Sequence, residues 1–282
     1  MKHLSITLFL VLSSILHAQE TKTYYDTGEL KEVGMIKNGK HVGLWKAYHK
    51  NGQLAVMVNV VDDKPDGEMK SYHENGRLAE VKDHMHGEQH GIFARYDETG
   101  QILEEGNYAN GKEHGNWKKF YETGQLKEVG TYHNGKKKGE WKTFYENGQQ
   151  HELETYVDGS REGLYKEYNM NGSLISTGNF KDAYESGEWK FFYEDGKLQA
   201  KGNTLTGSRN GEWEYYHENG QLSMVKLFNR ERLMEVISCF DGKGNPMKKG
   251  TLINGNGTVY YYDIEGNLTG DEEYMEGELL TF

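Results

Sequence analysis

Three histidines, His84, His86 and His90, stand at the alternating and near spacing from which imidazoles can converge on one metal ion. Three more, His49, His73 and His217, share one phase of the chain. Carboxylates are abundant, but they recur by register, so no pair is set apart by an environment that would move its pKa. Hydrolytic, zinc-protease and phosphate-cradling motifs (G-x-S-x-G, H-E-x-x-H, G-x-x-x-x-G-K-[ST]) are absent from the sequence. A single cysteine, Cys239, excludes an internal disulfide and any zinc cluster built on several thiolates, and reads as a small apolar core residue. Neither an enzyme nor a cofactor or metal protein is expected.

The elements that carry these residues are set by a repeat. Glycines recur every 24 residues from Gly43 to Gly211, and a second series runs at the same spacing from Gly28 to Gly244. Two residues after the first glycine come Trp45, Met69, Phe93, Trp117, Trp141, Tyr165, Trp189 and Trp213; five after it come Tyr48, Tyr72, Tyr96, Phe120, Phe144, Tyr168, Phe192 and Tyr216. Leucine or isoleucine follows the second glycine by two residues, with Gln150 and Pro246 as exceptions. Each unit reads as strand, turn, strand, turn. Asn51-Gly52, Asn75-Gly76, Asn147-Gly148 and Asn219-Gly220 are expected to form tight turns with both central residues at positive φ, and Asn38-Gly39, Asn110-Gly111, Asn134-Gly135 and Asp158-Gly159 to link successive hairpins. The fold class is therefore all-β: an elongated single-sheet meander of about ten 24-residue hairpins, on the order of 95 Å long at two strands per repeat. The +2 and +5 aromatics lie on opposite faces of a regular strand, so either both faces carry aromatics or a bulge intervenes.

The register absorbs the histidines. His84 occupies the row of Tyr108, Tyr132, Tyr156 and Phe180; His86 takes a turn position; His49, His73 and His217 alternate with Tyr121, Tyr145 and Tyr193 as substitutes in one half-exposed column.

Apolar residues make up 35% of the 282, with 36 glycines and 20 tyrosines, which suits a thin regular sheet better than a thick globular core. Aromatics at 12% argue against disorder. A formal charge of -11 argues against nucleic acid and an anionic membrane surface as partners. At the N-terminus, Met1-Lys2-His3 precedes an apolar run from Leu4 to Leu16 and the small residue Ala18, which is how a secretory leader is built and too short to span a membrane. Residues 1–18 are read as a signal peptide, 19–234 as hairpin repeats and 235–282 as divergent repeats and a cap. The expected location is the periplasm, the outer envelope or the exterior.

Units such as Gly115-Asn-Trp-Lys-Lys-Phe-Tyr-Glu-Thr-Gly-Gln-Leu126, followed by Gly130-Thr-Tyr132 and Asn134-Gly-Lys136, resemble the bacterial variant of the MORN repeat, in particular the YwqK-type proteins named as toxin-antitoxin antitoxins. The resemblance runs from about residue 24 to residue 270. It implies an elongated β-meander and the roles associated with such arrays: scaffolding, membrane contact and toxin neutralisation.

Two sets of rows are candidate binding surfaces. Trp45, Trp117, Trp141, Trp189 and Trp213 offer aromatic platforms for sugar rings or a protein, competing with their use as the core. Lys46, Lys118, Lys142 and Lys190, expected to alternate with an acidic row that includes Glu74, Glu122 and Glu194, form a charged strip along which a partner can dock. The apolar strand Val56, Met57, Val58, Val60, Val61 departs from the pattern, as a contact patch or an end cap would, and so does the part from Glu235 to Phe282; capping is the preferred reading for both. A protein partner is the favoured reading, with glycan binding and toxin neutralisation as alternatives.

Overall fold

A computed structural model describes residues 18–281; residues 1–17 of the expected leader lie outside the described residues. The described chain is all strand and turn, without a helix, and 21 of its strands form one antiparallel meander sheet. Contacts divide the chain into two compact units, one running to Gln101 with Tyr108–Gly111 added, the other comprising Ile102–Asn107 and everything from Lys112 onward.

The turns are of two kinds. At Asn38-Gly39 both residues have positive φ (54° and 75°), the type I′ geometry whose twist matches a hairpin, and the same holds at Asn110-Gly111 and Asn134-Gly135. The expectation for Asn51-Gly52 is corrected: only Gly52 is left-handed, at 81°. There the loop closes through His49 N–H to the Gln53 carbonyl and Gly52 N–H back to the His49 carbonyl. Asparagine is used for its side chain instead. Asn51 Oδ1 accepts from the Gln53 amide at 2.9 Å while its Nδ2 donates to the Glu74 carbonyl of the next repeat at 2.7 Å. Asn75 and Asn147 repeat both bonds.

The bulge is present as well. Lys119 pairs with Glu128 but Phe120 with Leu126, so Lys127 is left over, and equivalent slips recur at 47/48, 71/72, 143/144, 167/168, 191/192 and 215/216. Because the extra residue is on the partner strand, Trp117 and Phe120 stay three apart in one unbroken strand and point to opposite faces. Both faces therefore carry aromatics.

On the tryptophan face the core is built from a pairing. Gly34, Gly106, Gly130, Gly178 and Gly202 each precede a tryptophan by 11 residues, and a Cβ on any of them would fall 2.0–2.3 Å from that indole. Where the +2 residue is not tryptophan, the facing residue is not glycine: Val58 faces Met69, Lys82 faces Phe93, and Glu154 stands 11 residues before Tyr165. The backbone is left bare only where an indole must lie on it.

The single-sheet meander runs through 21 strands, and the C-terminal end adds a second, small sheet. Gly257–Tyr262, Leu268–Met275 and Glu278–Leu279 form a separate three-stranded sheet. Pro246 occupies the leucine row, and a proline has no N–H to donate, so the would-be strand shrinks to an isolated bridge between Phe240 and Pro246. The interruption lets the last residues fold back. Val236, Cys239, Leu252 and Val259 join Trp189, Trp213, Met224, Phe228 and Leu233 in one buried cluster, on which Tyr261, Tyr262 and Tyr274 pack.

Candidate functional site

Most hairpin ends are stitched to the next repeat by a ring; Asp97 and Asn169, in the same row, cap their own loops instead. Tyr25, Tyr121, Tyr145 and Tyr193 donate their hydroxyls to the carbonyls of Tyr48, Phe144, Tyr168 and Tyr216, 23 residues on. His49, His73 and His217 make the same bond from Nε2 to Tyr72, Tyr96 and Phe240. This is why histidine and tyrosine alternate in that row: each puts an N–H or O–H at the end of a flat ring. The other edge is stitched by backbone, as in Gly135 N–H to the Glu113 carbonyl. Among the described residues no group of three or more His, Cys, Asp or Glu side chains is gathered closely enough to hold a metal ion. Burial pushes the His84 imidazole below its ordinary pKa.

The candidate rows fare differently. Trp117, Trp141, Trp189 and Trp213 are 4%, 2%, 2% and 3% exposed, so these four indoles are spent largely on the core. Lys118, Lys142 and Lys190 pair outside the expected acidic row. Lys142 and Lys190 reach back two residues to Glu140 and Glu188, at 3.3 and 2.7 Å, and Lys118 crosses to Glu105 at 2.9 Å. A two-residue spacing brings side chains to one strand face, whereas Glu74 and Glu122 lie in the hairpin loops. Such exposed pairs contribute less than about 1 kcal/mol each.

Two clefts stand out from the rows. In the first unit, Trp45 is half-buried in a groove of about 300 Å³ lined by Lys46, Ala47, Val56, Val58 and Val60, with Glu32, His41 and Asp63 at its rim. His41 Nδ1 lies 2.7 Å from the Asp63 carboxylate, and the imidazole meets the indole edge-on at 4.3 Å. Hydrogen bonds from His41 hold the Asp63 carboxyl below its ordinary pKa. Two predicted site residues, Trp45 and Lys46, thus come together here with the atypical apolar strand.

In the second unit a cleft of about 710 Å³ opens on the tryptophan face, walled by Phe191, Trp213, Tyr215 and Tyr261, with Lys226 and Arg209 inside. Arg209 is bound to Glu231, donates to the Tyr215 hydroxyl at 3.1 Å and lies over the Phe228 ring at 4.1 Å. Lys226 donates to the Tyr261 hydroxyl at 3.0 Å and faces the Tyr261 and Tyr215 rings at 4.7 and 5.2 Å. Burial pushes its amine down to about 8. Tyr261 in turn donates to Glu272, which also accepts from Tyr274.

This second cleft was not read from the sequence, although two signals for it are there. Lys226 occupies the row of Gly34, Gly106, Gly130, Gly178 and Gly202, and Phe191 and Tyr215 are the only aromatics in a row otherwise made of Ala47, Ser71, Arg95, Lys119, Thr143 and Glu167.

The MORN repeat variant model matches residues 42–62, 65–82, 89–110, 113–134, 137–158, 161–182, 185–205 and 209–229, more than half of the chain. The chain belongs to the MORN repeat variant family. Each MORN match carries the two strands of one unit and the bulged turn between them. Both clefts lie where the MORN matches give way to other sequence: Trp45 is in the first match while Glu32 and His41 precede it, and Lys226 is in the last while Tyr261 follows it. No curated protein matches the chain. Among solved structures, the crystal structures of TcdB2-TccC3-TEV, TcdB2-TccC3-Cdc42 and TcdB2-TccC3 are similar at 14%, 15% and 14% identity, with TM-scores of 0.21, 0.20 and 0.20. The likeness covers 93% of this chain but only 16%, 16% and 18% of those chains, and is too slight to bear on what the MORN array does. Among the described residues no helix is long and apolar enough to cross a membrane.

Proposed function

We propose that this MORN array is an exported, non-enzymatic scaffold that binds a protein partner, and that the groove around Trp45 is where the partner docks. The composition of that groove carries the reading: a partly exposed indole, an apolar strand beside it, and Glu32, His41, Lys46 and Asp63 around them. This is the arrangement in which a few aromatic anchors supply most of an interface's binding energy. Trp45 is also the one tryptophan of the row that the core leaves partly open. Export rests on the apolar run from Leu4 to Leu16 and the small residue Ala18.

The test is a photo-crosslinking residue placed at Ala47, which shares the strand face of Trp45, in the native cell, with Glu140 as an exposed control, combined with fractionation and N-terminal sequencing. A discrete protein adduct from position 47 alone, on a chain that begins near Gln19 outside the cytoplasm, is the expected result. Trp45→Ala should then weaken the complex by about 2 kcal/mol or more, as loss of an anchor does. A chain that begins at Met1 in the cytosol overturns the export reading and favours toxin neutralisation. No adduct at position 47 overturns the docking position.

A further inference from the structure

The second cleft exists because the tryptophan row stops. From Gly106 onward, the bare backbone before each tryptophan is covered by the indole that follows it; past Trp213 there is no further indole, and the glycine row itself ends in Lys226. Tyr261 of the three-stranded sheet closes one side, and a roomy concavity is left between them. Its wall is flat and aromatic: Phe191 stacks 6.2 Å from Trp189 at 27° and 6.1 Å from Trp213 at 34°, with Tyr215 in the same row one repeat on. Gln199, Thr204 and Ser223 add hydrogen-bonding groups.

We propose that this cleft binds a small carboxylate carried on a ring, the ring lying against Phe191 and Tyr215 and the carboxylate on Lys226. The volume of about 710 Å³ is within the range of small-molecule sites. The charges select the anion. Arg209 is engaged by Glu231 and Tyr215, and Glu272 by Tyr261 and Tyr274. Among the described residues Lys226 has three N–H donors and one oxygen partner, the Tyr261 hydroxyl, in surroundings that penalise its charge. A carboxylate would supply the missing acceptor and add to the counter-charge of Glu272, which alone leaves the amine below its ordinary pKa. Glu185, the remaining acid in the cleft, is pushed above its ordinary pKa by burial, against the pull of Arg161. Cys239, also near Lys226, is pushed up by burial and stays a neutral thiol. A ring carboxylate has two sources, a sugar acid or an aromatic acid, and the same site chemistry serves both.

The site is independent of the partner proposed for the Trp45 groove, and its test is separate. The full chain is titrated with glucuronate and with phenylacetate, and with glucose and benzyl alcohol as their uncharged counterparts, by calorimetry and tryptophan fluorescence. The expected result is saturable binding of one acid, with its uncharged counterpart weaker by roughly tenfold or more. Binding should weaken between about pH 7 and pH 9.5 as Lys226 loses its proton. Lys226→Met should abolish the preference for the acid without lowering the melting temperature, and Phe191→Ala should weaken binding of acid and counterpart alike. Which acid binds identifies the source. Failure of both acids to saturate below about 10 mM, or equal binding by Lys226→Met, overturns the proposal.

Discussion

A glycine and a tryptophan 11 residues apart are the smallest complete statement of this fold. Gly130 lies under Trp141, and a methyl group there would sit 2.1 Å from the indole. Gly130→Ala should therefore cost about 1–3 kcal/mol by overpacking, read from urea unfolding, and Trp141→Leu in the same chain should recover part of the loss by vacating the space. Lys226 makes the opposite prediction. Burial lowers its pKa from 10.5 in the unfolded chain to about 8 in the fold. Between those values the unfolded chain holds more protons, so the stability contributed by this residue rises with pH through the window, and below pH 8 the fold carries the cost of a buried charge. Lys226→Met should be more stable than the parent near pH 7, by about 1–3 kcal/mol, and the advantage should shrink as pH climbs towards 10.5. Urea midpoints for both chains across that range check the sign.

At the scale of the element, the two turns of each unit do different work with similar letters. The type I′ turns need two left-handed residues, and most place Gly second; Asp182-Ala183 does not, leaving Ala183 at φ 67°. Ala183→Gly should raise stability by about 0.5–1 kcal/mol, visible as a higher melting temperature, because only the methyl group resists that conformation. The bulged turns need one left-handed glycine, and most add a polar side chain that reaches the next repeat. His217 supplies a donor there from an 8% exposed ring. His217→Tyr should be nearly neutral and His217→Phe should cost about 1–3 kcal/mol by leaving the Phe240 carbonyl without its partner. The period located every turn, but Asn-Gly alone does not distinguish a turn that uses asparagine's backbone from one that uses its amide. That choice depends on a carbonyl 23 residues away.

At the scale of the whole molecule, stability should be concentrated where the C-terminal sheet folds onto the last repeats. Cys239 reports on it: the thiol is 4% exposed and burial pushes its pKa up. It should resist alkylation in the native protein and become reactive in step with unfolding, and Val259→Asp should expose it at denaturant concentrations that leave the parent protected. The sequence by itself determined the all-β class, the 24-residue unit, the positions of the turns and the residues of the core rows, because a repeat shows the same local decision many times over. It also held the histidines to structural rows. Tertiary structure alone decided that four of the five tryptophans are buried, that the lysines pair along their own strands or with a neighbouring strand, and that a cleft forms around Lys226. Those outcomes turn on what lies across the sheet from each side chain. Where the next indole is missing and Tyr261 folds back from a separate sheet, the neighbour comes from outside the period, and no spacing within the repeat encodes it.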